Sequence, residues 1–400
     1  MKQSKLFYKT FKEVPKDVEA VSHSLLVRAG FVDQVSAGIF NFLPLGFKVL
    51  KKIENIIREE MEKIEGQEIL MSALIPKENL VKTGRWDNFD VLFKLKGANK
   101  KEYALGATHE EIISPMAKKI ILSYKDLPLY LFQIQNKFRD ELRAKSGLLR
   151  TREFMMKDLY SFHTNEEDLE KYYLKVSKAY ENIFKRCGIK VYKTLANGGS
   201  FSKYSHEYQT PTEAGEDIIY VCKKCNLGIN KEIKSHKCPE CGGIAFEEKK
   251  AVEVGNIFQL KDAFSLPFDL KFKDSNGKEK PVLMGCYGIG LGRLMATIVE
   301  VNNDENGIIW PESVSPYNIH LIQIGETKKE ADKLYIKLLK EGKEVLYDDR
   351  EVGAGEKFAD ADLIGISERW VISPKTLEKK SIEIKKRNSQ KTKLVKLLSS

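Results

Sequence analysis

The sequence predicts an α/β protein whose larger, amino-terminal part is an α+β domain on an antiparallel sheet and whose last part is a compact α/β unit. Three observations predict it. Two strand-like runs, Tyr130 to Phe138 and Arg152 to Phe162, flank a polar, Arg-containing loop from Asp140 to Thr151 and read as an antiparallel hairpin. A short apolar strand ending Phe42-Leu43-Pro44-Leu45-Gly46 runs into a stretch where Val49, Ile53, Ile57, Met61 and Ile64 recur at helical spacing. After Trp310-Pro311-Glu312-Ser313-Val314-Ser315-Pro316, strands (Ile319 to Ile322, Glu344 to Tyr347, Trp370 to Ile372) alternate with helices, the first from Lys328 to Glu341.

The remaining elements follow from the same patterns. Strand-like runs lie at Ile69 to Ile75, Val91 to Leu95 and Tyr103 to Leu105, before a helix expected to begin at Thr108. A polar helix is expected from Glu166 to Lys185, and strands at Val252 to Leu260 and Val282 to Tyr287, the last leading through glycines into a helix. A chain of 400 residues exceeds the usual single core, so two or three domains are expected, with a boundary near 314.

Lys plus Arg number 67 against 57 Asp plus Glu, an excess that suits a polyanionic partner such as nucleic acid and equally suits a solvated surface. No stretch approaches the roughly 18 apolar residues of a membrane span, and the Lys-studded start lacks a signal-peptide core, so a soluble, cytoplasmic chain with no membrane partner is expected. Cys187 and Cys286 stand alone, whereas Cys222, Cys225, Cys238 and Cys241 form two C-x-x-C pairs with the spacing of a four-thiolate zinc ribbon. Four thiolates leave no open coordination position, so a structural rather than catalytic Zn²⁺ is expected.

Two segments carry nucleotide chemistry. In Phe138-Arg139-Asp140-Glu141, strand periodicity places Arg139 and Glu141 on one face, and Arg150-Thr151-Arg152-Glu153-Phe154 follows. An Arg meets phosphate through forked, charge-assisted bonds, a carboxylate accepts from an adenine amino group, and a Phe stacks on the base. The same pattern suits an ordinary exposed Arg/Glu ladder. In Gly285-Cys286-Tyr287-Gly288-Ile289-Gly290-Leu291-Gly292-Arg293 a dinucleotide fingerprint would need Gly at 293, where this chain has Arg. An Arg in the first helical turns is placed to meet a phosphate tail, or simply faces solvent after a tight turn. There is no Walker A sequence and no H-E-x-x-H motif.

Taken together, these segments and the Pro44 strand-to-helix junction resemble the three signature motifs of class II aminoacyl-tRNA synthetases. Further blocks sharpen the likeness: Gln135 to His163, Ala107-Thr108-His109-Glu110-Glu111, Ser205-His206-Glu207-Tyr208-Gln209, Val254 to Leu260 and Gly307-Ile308-Ile309-Trp310-Pro311 resemble prolyl-tRNA synthetases of the bacterial type. The resemblance implies a class II catalytic domain in two parts (1–217 and 251–313), a Cys₄ zinc-ribbon-like insertion (218–250) and an anticodon-binding domain (314–400). It implies ATP-dependent activation of L-proline with Mg²⁺, transfer to tRNA(Pro), and a homodimer joined near the first motif. Arg139 and Arg293 are the implied catalytic residues, Arg139 on the α-phosphate and carboxylate, Arg293 on the γ-phosphate. Glu141, Arg150, Phe154 and Gln209 complete the ATP site; Thr108, Glu110, His206, Phe258 and Cys286 line the proline side. A Thr/Glu pair supplies the acceptor and anion that a secondary ammonium needs.

The chain departs from the pattern in three places. Only the Cys-rich segment stands where many bacterial relatives carry a large editing insertion, so cis-editing is expected to be absent. Phe201-Ser202 replaces a Gly-Gly pair, and Asn256 stands where many relatives have His. The C-terminal stretches Asp348-Asp349-Arg350 and Gly355 to Asp360 resemble class IIa anticodon-binding domains, which makes Arg350, Lys357 and Phe358 candidates for RNA contact; Phe358 suits a helix core equally. Two other readings fit less of the pattern: a class II enzyme for another small amino acid such as threonine, and a synthetase-like RNA-binding protein without catalysis.

Overall fold

A computed structural model describes residues 1–7, 9–13, 20–144, 146–198 and 204–397; Gly199 and the departure at Phe201-Ser202 lie outside them. The chain forms two compact units, one of 37–39 and 54–297, the other of 1–36, 40–53 and 298–400.

The first unit is organised by a nine-stranded sheet. Its order is Tyr204–Pro211, Tyr192–Asn197, Gly228–Asn230, Asp217–Cys222, Phe246–Lys261, Leu283–Gly290, Glu153–His163, Leu129–Phe138 and Gln67–Glu68. The expected hairpin is present, its strands pairing from Leu129 opposite Phe162 to Phe138 opposite Glu153. Tyr204–Pro211 also pairs with Phe246–Lys261, so the first five strands close into a ring.

Helix Glu166–Arg186 covers one face of this sheet. Asn165 caps it through its side chain, Glu166, Glu167 and Asp168 fill the first turn and Lys185 and Arg186 the last, so charge complements the helix dipole at both ends. Its buried stripe of Tyr172, Tyr173, Val176, Tyr180, Ile183 and Phe184 recurs at helical spacing, and the Tyr180 and Phe184 rings lie 5.3 and 5.4 Å from that of Tyr208 on the sheet. Because strand side chains alternate, residues between those facing the helix point to the opposite face.

The second unit carries a five-stranded sheet in the order Val345–Asp348, Ile319–Gln323, Glu368–Ile372, Ser381–Lys386, Thr392–Lys396. The first three strands are parallel and are connected through Lys328–Lys340 and Ala354–Ile364, as the alternating pattern predicts. The last two strands had no counterpart in the sequence reading, because they are short and Lys-rich; the exposed edge strand carries Lys393 and Lys396, which discourage pairing with another chain.

The observed units differ from the expected domain limits. Strands Asp217–Cys222 and Phe246–Lys261 run through both expected borders of the Cys-rich insertion, which is therefore continuous with the catalytic sheet. Residues 1–36 and 40–53 belong with the C-terminal unit because Met1 N donates to Val345 O at 2.8 Å, Lys2 bridges Tyr347 in parallel, and Lys48 and Lys52 each reach Glu344 at 2.6 Å. At the start of helix Pro44–Glu62, Gly46 lies so close to Phe31 that a Cβ would fall 2.0 Å from its carbonyl oxygen, so only glycine permits that approach. The helix expected at Thr108 begins at Glu110, behind His109.

Candidate active site

On the sheet face opposite helix Glu166–Arg186 lies a cavity of about 340 Å³. Period-two alternation builds its floor: Phe154, Met156 and Asp158 from one strand, Val254, Asn256, Phe258 and Leu260 from a second, Cys286, Gly288 and Gly290 from the strand between them. Pairing sets Phe258, Cys286 and Tyr160 in one row and Asn256, Gly288 and Asp158 in the next. The glycines of this segment lie within the strand, where they make room. A Cβ on Gly288 would stand 3.3 Å from Asn256 Oδ1 on the cavity floor. One on Gly285 would overlap the Tyr287 and Ser161 hydroxyls, at 2.3 and 2.7 Å.

Arg139 and Glu141 both line the cavity, although not for the expected reason. The strand ends at Phe138, so period-two alternation does not govern them. Instead Arg139 N bonds to Arg152 O at 2.8 Å and Glu141 N turns back onto Arg139 O at 2.8 Å. The Arg139 guanidinium lies 5.3 Å over the Phe154 ring and donates to Ala107 O at 3.4 Å. Burial and then the neighbouring Arg293 charge lower its pKa, so two guanidinium groups converge on one cavity. Arg293, third residue of helix Leu291–Val301, donates to Leu149 O at 2.8 Å. Arg150 bonds Glu141 at 2.8 Å and Glu216 at 2.8 Å, orienting the Glu141 carboxylate at the cavity wall.

At the other end stand Thr108 and Glu110. Thr108 Oγ1 donates to Glu110 Oε2 at 2.5 Å, and Tyr160 OH accepts from His109 N at 3.0 Å. Burial alone would raise the Glu110 pKa; the Arg85 charge and the Thr108 hydrogen bond hold it below the ordinary range. Asp158 is buried and paired with the wholly buried Lys137 at 2.7 Å. Burial, with the Glu110 and Asp158 charges, keeps the Cys286 thiol protonated.

Several expected contacts are not brought together. His206 faces helix Glu166–Arg186, where its Nδ1 lies 2.7 Å from Tyr173 OH, because alternation along Tyr204–Pro211 puts it on the face of Tyr208. Gln209 is wholly buried and bonds Glu207 and Asp217, both at 2.9 Å, outside the cavity wall. In the other unit Lys357 is 2 % exposed and donates to Gln323 O at 2.7 Å; Arg350 is held by Asp348 at 2.7 Å and Asp360 at 2.8 Å. Phe358 packs on Ile322, Ala361 and Val371 beneath Arg369, whose guanidinium lies 4.7 Å above the ring. Lys357 is thus buried inside the domain, whereas Arg350 and Phe358 are engaged within it and stay partly exposed. Conversely, the sequence reading passed over Arg85, Asp158, Tyr160 and Glu253. Alternation from Phe154 would have pointed to Asp158 and Tyr160; Arg85 had no periodic signal, since only folding sets it beside Glu110.

The four sulfurs of Cys222, Cys225, Cys238 and Cys241 lie within 4.8 Å of one another, with Cys222 to Cys241 and Cys225 to Cys238 both at 3.6 Å. Tetrahedral zinc with Zn–S near 2.3 Å places sulfurs about 3.8 Å apart, so the donor set fits.

The sheet, antiparallel except for two short parallel pairings, and a cavity with two converging arginines define a class of protein. Residues 93–302 match the tRNA synthetase class II core domain (G, H, P, S and T), and 314–399 match an anticodon binding domain. Over 555 aligned positions the chain is 34% identical to proline–tRNA ligase of Dehalococcoides mccartyi (strain ATCC BAA-2266 / KCTC 15142 / 195), covering 100% of this chain and 97% of that protein. It is 32% identical to that of Syntrophomonas wolfei, covering 99% and 97%. The chain thus belongs to the proline–tRNA ligase family, within the class II aminoacyl-tRNA synthetases. The fold is shared with Giardia lamblia prolyl-tRNA synthetase solved in complex with prolyl-adenylate (TM-score 0.77, 21% identity, 93% of this chain and 73% of that one). The enzyme of Cryptosporidium parvum, complexed with L-proline and AMP, gives 0.76 at 17%, over 94% and 72%. An alignment of 555 positions against 400 residues also means that the Dehalococcoides relative carries long segments that this chain lacks.

One carboxyl behind the cavity titrates near neutrality. Burial first, then the Glu253 charge, pushes Glu207 from 4.5 up to about 7. The folded state therefore holds this proton more tightly than the unfolded chain does. Its contribution to stability is full below 4.5 and is lost as pH rises to about 7. In urea unfolding, Glu207→Gln is expected to flatten the decline in stability across that window relative to the unsubstituted chain; an identical decline in both would refute the assignment.

Proposed function

We propose that this chain activates L-proline with ATP to prolyl-adenylate, releasing pyrophosphate, and transfers the prolyl group to the 3′ end of tRNA(Pro). The observation that carries the reading is one cavity with Arg293 and Glu141 at one end, a Thr108/Glu110 pair at the other and the Arg139 guanidinium between them, bonded to Ala107 O. Arg139, placed between the two ends, bridges the α-phosphate and the prolyl carboxylate, and Arg293 takes the γ-phosphate. Glu141, oriented by Arg150, accepts from the adenine amino group, and the base stacks on Phe154. Thr108 and Glu110 receive the secondary ammonium, while Phe258 and the Cys286 segment flank the pyrrolidine ring.

No side chain serves as nucleophile. The substrate carboxylate oxygen attacks the α-phosphorus as the bond to the pyrophosphate oxygen breaks, and the pyrophosphate carries away the electron pair. The terminal tRNA ribose hydroxyl then attacks the carbonyl carbon, AMP leaves, and the hydroxyl proton is released. The protein contributes alignment and fixed positive charge. Mg²⁺ bound with the nucleotide would supply further charge neutralisation, with Glu253, one of the carboxylates lining the cavity, suited to hold it.

In pyrophosphate exchange assayed with each amino acid in turn, proline is expected to dominate, and Arg139→Ala to lower the rate by at least ~10²-fold. Exchange driven by threonine would favour the other class II reading, and no exchange with any amino acid would sink both.

Zinc in the Cys₄ cluster is structural on this reading, since four thiolates close the coordination sphere. Metal analysis of the purified chain should find about one Zn²⁺ per chain, with Cys225→Ser losing the metal and melting at lower temperature; metal-free native protein refutes the site.

Without the large insertion, the chain is expected not to hydrolyse alanyl-tRNA(Pro). Deacylation at the uncatalysed rate is the predicted result, and rapid deacylation would overturn it.

A further inference from the structure

Arg85 follows Gly84, whose φ of 73° is left-handed, and opens the short helix Arg85–Asn88. This turn delivers its guanidinium to the proline end of the cavity. Nη1 donates to Glu110 Oε2 at 3.0 Å and to Glu111 Oε1 at 3.2 Å. The same Glu110 oxygen accepts from Thr108, and Glu111 Oε1 accepts from Thr83 Oγ1 at 2.9 Å. The guanidinium also lies 4.4 Å from the Phe264 ring centre and 5.2 Å from that of Phe89. Glu110 is 3% exposed and Glu111 is fully buried.

Two buried carboxylates without a counter-charge could not both stay ionised at modest cost. Burial and the Glu110 charge push the Glu111 pKa up, against the pull of Arg85 and the Thr83 hydroxyl; with both carboxylates ionised, one guanidinium between them leaves the cluster a single net negative charge, which matches one monocation. Other groups facing Glu110 are His109, Tyr160 on Glu153–His163, Cys286 on the adjacent strand, and Lys137 and Arg139 at the end of Leu129–Phe138, with Asp158 beside Tyr160, Cys286 and Lys137. Lys137 is already matched by Asp158. Arg139 points toward the phosphate end.

We propose that Arg85 is a positioning and specificity-determining residue for the amino-acid substrate: by pairing with both Glu110 and Glu111 it sets the charge of the imino subsite at one negative and fixes Glu110 for a single secondary ammonium. The proposal rests on the reading that proline occupies this end. It assigns a role to Glu111 as well, which contributes to the charge count through Arg85.

The test is pyrophosphate exchange with proline and ATP varied separately, on the full chain and on Arg85→Met, Glu111→Gln, Arg85→Lys and the double variant Arg85→Met/Glu111→Gln. Each of Arg85→Met and Glu111→Gln is expected to raise the proline KM about tenfold or more while the ATP KM stays within about twofold. Arg85→Lys, which keeps the charge, should lie nearer the unsubstituted enzyme. The double variant again leaves one net negative charge and should bind proline better than either single variant, a coupling that merely structural damage does not produce. Additive losses in the double variant, or equal rises in both KM values, overturn the proposal. If Arg85→Met does not fold, Glu111→Gln decides: an unchanged proline KM there also overturns it. Absence of proline-dependent exchange in the unsubstituted chain would instead remove the underlying reading.

Discussion

The period-two alternation of an antiparallel sheet, with one face committed to a helix, is the constraint on which the active-site unit depends. Once Tyr208, Tyr287 and Ile257 are buried on the side of helix Glu166–Arg186, the intervening residues have one remaining direction in which to point. Phe258, Cys286, Asp158 and Phe154 become a cavity floor as a consequence. A shift of one residue in register would exchange the apolar layer for the polar one, so the packing that stabilises the sheet and the geometry that positions the site are one feature.

A site that handles a polyanion and a zwitterion must hold charge out of water, and the structure meets that cost by pairing. Lys137 is matched to Asp158, and Arg85 to Glu110 and Glu111. Arg139 is the exception. Its neighbour Arg293 is another cation, and burial and that charge together make it a poor resting place for anything except an anion. On the proposed reading, that unfavourable setting of Arg139 is what suits it to a phosphate.

The C-terminal unit shows the opposite use of charge. Arg350, Lys357 and Arg369 carry the residue types of an RNA-binding face, yet each is turned inward or laid flat on the protein, bonded to Asp348, Asp360, Gln323 or Asp362. Charge type alone does not distinguish the two uses. What separates them is whether the partner lies in the same chain, and that depends on how helix Ala354–Ile364 packs on the parallel strands.

By itself the sequence determined the elements with strong local pattern: the hairpin around Arg139, the long helices, the alternating strands after residue 316, and the Cys₄ spacing. It also determined the family, because many separated motifs agreed. For that reason Arg139, Glu141, Phe154 and Arg293, which line one cavity, could be named from the sequence as the side chains proposed to grip the nucleotide. Only the tertiary structure decided that His206 and Gln209 turn away from the cavity, that Lys357 is buried and Phe358 packs half-buried on its own domain, that the Cys-rich segment continues the catalytic sheet, and that Arg85 and Tyr160 flank Glu110. Local periodicity reports which face of an element is apolar. Which distant side chain completes a charge pair is set by contacts between residues far apart in the chain, such as Arg85 and Glu110, and these carry no local signal.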